Sequence, residues 1–251
     1  MTLSPAERQR YARHLDLPAL GEAGQEKLHA GSVLVVGCGG LGSPVLLYLA
    51  AVGVGRLGFM DPDIVSISNL QRQVVHVTTD IGRLKTESAT SHLRELNPHV
   101  RLEAHPERLE AANAREHFAN YDLVVDATDN YAAKYLINDI CVELNKPFIH
   151  AGISAHGGQL MTVLPGQSAC LRCIQPDAPA NAPADAGPLG PLPGVIGSLQ
   201  ALEAFKFLTG IGPLLTDRVL AFDALTTEFH AILTNRDPAC PACGAGAPTK
   251  E

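Results

Sequence analysis

VLVVGCGGLG, residues 33–42, is an apolar run that empties into glycines. Val33, Leu34, Val35 and Val36 have the composition of a buried parallel strand, and Gly37, Gly39 and Gly42 supply the G-x-G-x-x-G spacing that opens a helix over 41–52. Glycines let the backbone approach a phosphate closely, and the free amides at a helix start carry the positive end of its dipole. About 20 residues further on, the stretch RLGFMD ends in Asp61, where a nucleotide-binding α/β fold places a carboxylate for a ribose hydroxyl. These residues suit NAD as well as ATP, and they also suit a tight strand-to-helix packing turn that binds nothing.

Working outward, strands and helices alternate: strand 33–36, helix 41–52, strand 56–61, helix 82–96, strand 100–104, helix 109–118, strand 122–126, helix 131–143 and strand 147–150. Such alternation predicts an α/β protein with a Rossmann-like, doubly wound and mainly parallel sheet. After Ala151 the texture changes. GGQLMTVLP has the character of an antiparallel strand, the proline-rich segment 175–194 that of a long loop, and a helix over 195–208 precedes two more strands near 218–222 and 226–233. The expected organisation is a single domain over 1–251, with a helical arm (1–31), a nucleotide-binding half (32–150) and a second half (151–251).

The chain has 251 residues, 46% of them hydrophobic, enough for a large core. No apolar stretch reaches the ~20 residues needed to span a bilayer, and MTLSPAERQRYARH lacks a signal-peptide core, so a cytoplasmic protein without membrane contact is expected. A net charge of −7 without clustered Lys and Arg argues against nucleic acid as a partner.

Four of six cysteines pair as CLRC (Cys170, Cys173) and CPAC (Cys240, Cys243). In a reducing compartment two such knuckles predict one closed zinc site that clips the end of the chain to its middle, with redox chemistry as the alternative. Cys38 stands in the glycine turn and Cys141 on an apolar helix, where each is expected to serve as a small buried hydrophobe; the helix start gives Cys38 alone a physical argument for reactivity, and Cys141 should be inert.

Two cations separate the nucleotides. Arg72 falls in a polar loop and Lys85 near a helix start; a pyrophosphate on helix amides needs neither, whereas a triphosphate whose pyrophosphate departs needs both. The alternative is a solvated surface pair. The fourth strand ends in DATDN, which puts Asp129 and Asn130 at the carboxyl edge of the sheet; Asp129 is either a Mg²⁺ ligand or the cap of helix 131–143.

Together GCGGLG, the strand-end aspartate, SNLQRQ, GRLK, ATDN, the two CxxC knuckles and the N-terminal RYARHLDLPALGEAGQEKL resemble the MoeB/ThiF/HesA family, relatives of the ubiquitin-activating enzymes. The resemblance implies an adenylyltransferase that uses ATP and Mg²⁺ to activate the C-terminal glycine of a ubiquitin-like sulfur-carrier protein ending in Gly-Gly, with a structural Zn²⁺. It implies that Gly40 and Asp61 hold the nucleotide, that Ser68, Asn69, Leu70, Gln71 and Arg72 wrap the phosphates, and that Lys85 reaches them. Asp129 and Asn130 would complete the Mg²⁺ and nucleotide site, and Arg13 would enter the neighbouring subunit's site, which implies a homodimer. The proline-rich loop would cover the carrier's tail. One departure stands out: some family members carry a cysteine in that loop, and the matching position here is Pro183. Adenylation of a tRNA or a peptide, or an NAD-dependent oxidoreductase, are the alternative functions.

Overall fold

In a computed structural model, which describes residues 3–178 and 187–245, the chain forms one eight-stranded sheet with helices on both faces. Three N-terminal helices, α1 (Pro5–Arg10), α2 (Ala12–Leu15) and α3 (Gly21–Ala30), lead into β1 (Ser32–Val36) and α4 (Gly42–Val52). Then come β2 (Arg56–Met60), α5 (Lys85–Leu96), β3 (Arg101–His105), α6 (Ala111–Ala119), β4 (Leu123–Asp126), α7 (Tyr131–Glu143) and β5 (Phe148–Ile153). The second half contributes β6 (Gly157–Val163), α8 (Leu171–Ile174), α9 (Leu192–Thr209), β7 (Arg218–Asp223) and β8 (Glu228–Leu233).

The strand order is β3-β2-β1-β4-β5-β6-β7-β8. The first five strands run parallel, and β6, β7 and β8 continue the sheet antiparallel. Alternation along β1 explains the double winding. Val33 and Val35 join a core with residues of α4, α5 and α9, while Leu34 and Val36 join a second core with residues of α6, α7 and the paired cysteines. A strand covered on both faces must be apolar throughout, as this one is. No helix among the described residues is long and apolar enough to cross a membrane.

Two boundaries differ from expectation. The helix predicted from 82 starts at Lys85, because Gly82 has φ of +90° and the chain is still turning there. The segment predicted as loop to 194 becomes helical at Leu192, since Pro193 in the first turn has no amide to lose there and its fixed φ suits a helix start. Pro183 lies outside the described residues.

Candidate functional site

The parallel strands β1 and β4 turn in opposite directions from their carboxyl ends, and the crevice between them is the ligand position of an open α/β sheet. Gly37 leaves β1 with φ of +103°, and a Cβ there would sit 2.6 Å from the carbonyl oxygen of Ala127. A Cβ on Gly42 would lie 1.9 Å from the oxygen of Gly37, so Gly42 serves the closeness of the turn and does not line the crevice. Gly37, Gly39 and Gly40 do line it. Leu41 precedes α4 without any side-chain cap; the Ser43 amide is taken by the Gly39 carbonyl at 2.9 Å and Pro44 has no amide, so the donors that face an anion here are those of the glycine turn itself.

Around the turn lies a cavity of about 490 Å³. Asp61 shapes its floor: one carboxylate oxygen accepts from the Cys38 amide at 2.8 Å, the other from the Asp63 amide at 2.9 Å. Burial pushes the Asp61 carboxyl up, and the nearby Lys85 ammonium opposes this. Lys85, buried at the start of α5, donates to Asp63 at 2.9 Å and stands 3.8 Å from Asp61. It is therefore a cation already shared between two carboxylates. Arg72 differs. Its guanidinium donates to the Ser68 carbonyl at 3.1 Å, no carboxylate pairs with it among the described residues, and its aliphatic stem lies over Gly40 on the cavity wall.

On the opposite wall, Asn130 caps α7 by accepting from the Ala133 amide at 2.9 Å. The cap is thus Asn130, which leaves Asp129 an exposed carboxylate on the cavity with a single hydrogen bond among the described residues, from the Asn130 amide at 3.4 Å. A carboxylate with open lone pairs beside a phosphate-sized cradle fits Mg²⁺, which takes one or two carboxylates together with phosphate oxygens.

The structure brings together Gly37, Gly39, Gly40, Asp61, Arg72, Lys85, Asp129 and Asn130. It does not bring Ser68, Asn69, Leu70 and Gln71 to the cavity wall. Ser68 and Asn69 form a 3₁₀ turn in which Asn69 accepts from the Ser66 amide, and Gln71 packs at Gly190; only the arginine of SNLQR reaches inward. Arg13, on α2, is exposed, makes no hydrogen bond or ion pair among the described residues and is not part of the cavity lining. Beside it an apolar groove of about 340 Å³ runs between α4 and α9, lined by His14, Tyr48, Val52, Leu202 and Phe205.

Several residues escape the motif pattern. Gln73 is buried on the cavity wall, and its side-chain oxygen has no partner among the described residues. Lys134 also lines the wall, donating to the carbonyls of Thr128 and Ala151 at 2.7 and 2.6 Å and pairing with fully buried Asp126 at 3.3 Å. Burial would push Asp126 up, but Lys134, His150 at 2.8 Å and the Thr128 hydroxyl hold it at about 2. This network fixes the DATDN turn. His76 bridges in the same manner on the other side, from Ser88 at 2.8 Å to the Cys38 carbonyl at 3.0 Å.

Cys170, Cys173, Cys240 and Cys243 converge, with Sγ separations of 3.8, 3.6 and 3.3 Å along three of their edges. Bonds of about 2.3 Å at a tetrahedral ion give edges of about 3.8 Å, so the set fits Zn²⁺. The knuckle is anchored to α7: Asn138 accepts from the Leu171 amide at 2.9 Å, and Arg172 grips Asp139 through two bonds of 2.7 and 2.8 Å. Cys38 is a fully buried core residue, as expected, and its argument for reactivity fails. The helix start does not lower its pKa, because complete burial and the nearby Asp61 charge push the thiol well up. Cys141 is likewise buried with its thiol pushed up.

A family model described as the ThiF family matches residues 11–242. The chain is 46% identical over 253 residues to a sulfur carrier protein adenylyltransferase of Thermus thermophilus, covering 97% of this chain and 93% of that one. It is 43% identical over 250 residues to the SAMP-activating enzyme E1 of Haloferax volcanii, covering 98% and 92%. With the Zea mays adenylyltransferase and sulfurtransferase MOCS3-1 it shares 47% identity over 240 residues, 94% of this chain but 51% of that one, so it spans about half of that relative. A crystal structure of E. coli MccB with AMPCPP and MccA superposes with a TM-score of 0.83 at 25% identity, covering 94% of this chain and 74% of that one.

Proposed function

Because the chain belongs to the ThiF family, we propose that it is an adenylyltransferase that uses ATP to activate the C-terminal glycine of a ubiquitin-like sulfur-carrier protein ending in Gly-Gly. Support comes from the names of relatives that it matches over nearly their whole length, a sulfur carrier protein adenylyltransferase and a SAMP-activating enzyme. The observation that carries the chemistry is a single cavity with a glycine turn and uncapped helix start, Arg72 without a carboxylate partner and the carboxylate-paired Lys85 on one side, and Asp129 on the other.

The carrier's terminal carboxylate attacks the α-phosphorus of ATP; a carboxylate O–P bond forms as the bond to pyrophosphate breaks. Two anions must meet before either bond changes, and the carboxylate is its own nucleophile, so the protein has to supply positioning and positive charge. Arg72 is the mobile grip on the phosphates and the backbone of the glycine turn, Gly37, Gly39 and Gly40, the fixed one. Lys85 contributes its charge while holding Asp61 and Asp63 in place. Asp129 would hold Mg²⁺, which supplies positive charge to the phosphates when bound. Ser68 to Gln71 act behind Arg72 as its scaffold, and Asp61 and Gly40 remain the nucleotide contacts of the cavity floor. The four cysteines hold Zn²⁺ structurally, and 1–251 works as one domain.

Arg13 and the apolar groove beside it are read together as a homodimer surface: a second copy would cover Tyr48, Leu202 and Phe205 and bring Arg13 toward the neighbouring cavity. Adenylation of another substrate, such as a peptide, is the second reading, and a structure of similar fold, MccB, was solved with AMPCPP and MccA. ATP–pyrophosphate exchange separates the two. Exchange is expected only with a carrier whose terminal glycine is intact, and exchange without carrier, or with that glycine deleted, would refute the assignment.

A further inference from the structure

Outside the cysteine cluster, a second group of metal-ligating side chains stands at the end of β3. His105 closes that strand, Glu107 follows it, and His117 lies in the last turn of α6; one ligand atom from each lies within 4.8 Å of the others. The Glu107 carboxylate oxygen Oε1 is 3.1 Å from His117 Nε2, and the imidazoles of His105 and His117 meet edge to face with centroids 4.5 Å apart. Two ligand atoms on one ion, each at about 2.1 Å and separated by 90–110°, stand about 3.0–3.4 Å apart, which matches the first of these distances.

The surroundings resemble those of metal sites more than those of an ion pair. Tyr121 gives its hydroxyl proton to Glu103 at 2.6 Å, so at 3.2 Å it can only accept from the Nε2–H of His105. A neutral His105 ring so engaged keeps its lone pair on Nδ1. Glu107 is oriented from its other oxygen by the Asn113 amide at 3.0 Å. Each of these ligands is thus turned by a group behind it, a Glu103–Tyr121–His105 chain on one side and Asn113 on the other, and such outer partners are what fix ligand geometry in metal centres. A single Glu–His pair would need neither the second imidazole nor its tyrosine.

We propose that His105, Glu107 and His117 form a second metal centre, with three protein ligands, for a divalent transition ion of the zinc type. Two imidazoles and a carboxylate suit Zn²⁺ or Co²⁺, whereas the four thiolates of the other site select a softer, fully closed coordination. Three ligands on an exposed rim leave a position for water. Glu107 and the two residues after it also line the large cavity, so an ion here ties the β3 to α6 connection that forms one of its walls.

The test uses the full-length zinc protein, dialysed and then titrated with Co²⁺ alone. Wild type is expected to take up about one further equivalent per chain, with visible ligand-field bands and without thiolate charge-transfer absorption. His117→Ala should weaken that uptake at least 100-fold. Tyr121→Phe should weaken it about 10- to 100-fold, the range for loss of an outer partner. Glu107→Gln, at an exposed position and still able to bond His117 and Asn113, should weaken it at least 10-fold and decides the matter if His117→Ala fails to fold. No further equivalent in wild type, or one that Glu107→Gln leaves undiminished, overturns the proposal.

Discussion

Replacing Lys85 by alanine should damage the site more than its own charge would suggest. Removing one preorganised positive group from a phosphoryl-transfer site costs on the order of 10²- to 10³-fold in rate, about 3–4 kcal/mol. Lys85 also masks Asp63 at 2.9 Å and faces Asp61 at 3.8 Å. Without it the Asp63 charge faces the incoming triphosphate. A like charge about 6 Å away costs about 2.8 kcal/mol at an effective dielectric of 20. Asp63 is 59% exposed, so solvent screening reduces this to about 1 kcal/mol, or about 5-fold. Lys85→Ala is therefore expected to lower kcat/KM for ATP by about 500- to 5000-fold, and the added Asp63→Ala should return about 5-fold of it. Carrier-dependent pyrophosphate exchange measures both, with circular dichroism and thermal melts as folding controls. A natively folded Lys85→Ala that keeps a tenth of wild-type activity would refute the role of the charge. A double variant no faster than the single would refute the masking of Asp63.

Arg72→Ala and Asp129→Ala should each slow adenylation by on the order of 10²-fold, and near-normal rates in both folded variants would remove them from the site. The four cysteines should retain about one Zn²⁺ per chain through exhaustive dialysis, and Cys173→Ser or Cys243→Ser should lose it along with thermal stability, as read by metal analysis and melting curves; metal-free protein of unchanged stability would contradict this. Burial lowers the pKa of His76 and of His150, so below about pH 6.5 the unfolded chain binds protons that the folded chain does not. Stability should be complete above that pH and fall on acidification from 7 to 5, by up to about 1.4 kcal/mol per pH unit for each histidine. Asp126, held at about 2, contributes stability that is present above the ordinary carboxylate range and is lost only toward pH 2. A melting temperature flat between pH 7 and 5 would show that neither histidine is buried neutral.

How much of this was legible in the chain depends on whether a residue's task leaves a local pattern. β1 did, because a parallel strand buried on both faces has no polar position to confuse it, and its glycines are forced by clashes with Ala127 and within the turn itself. Asp129 and Asn130 were placed together, but only the geometry assigns the cap to Asn130 and frees Asp129. Lys134 left no trace: one cation on a helix reads as a solvated face, and its four acceptors come from β4, the DATDN turn and β5. Asp63 and Gln73 were hidden for the same reason, since each gains its role from a partner distant in sequence or from the cavity itself. The helical start at Leu192 was masked by proline, whose composition suggests a loop although its backbone angle is that of a first turn.

The sulfur chemistry of the pathway must then reside elsewhere than on the described cysteines. Attack on an acyl-adenylate requires a thiolate that can reach the cavity. Four of the six cysteines form the cluster beneath α7, and with Zn²⁺ bound each of their thiolates would be held by the ion. Cys141 is enclosed on the far side of the sheet, in the core shared with that cluster. Cys38 is the only one beside the cavity, yet its side chain points into the opposite core, and burial together with Asp61 keeps it a thiol at neutral pH. Deprotonating it would place a second negative charge against the carboxylate that orients the glycine turn. The same Asp61 that shapes the phosphate cradle therefore suppresses the one nucleophile near it, and a site built in this way favours an acyl-adenylate that stays intact until an external sulfur donor reaches it.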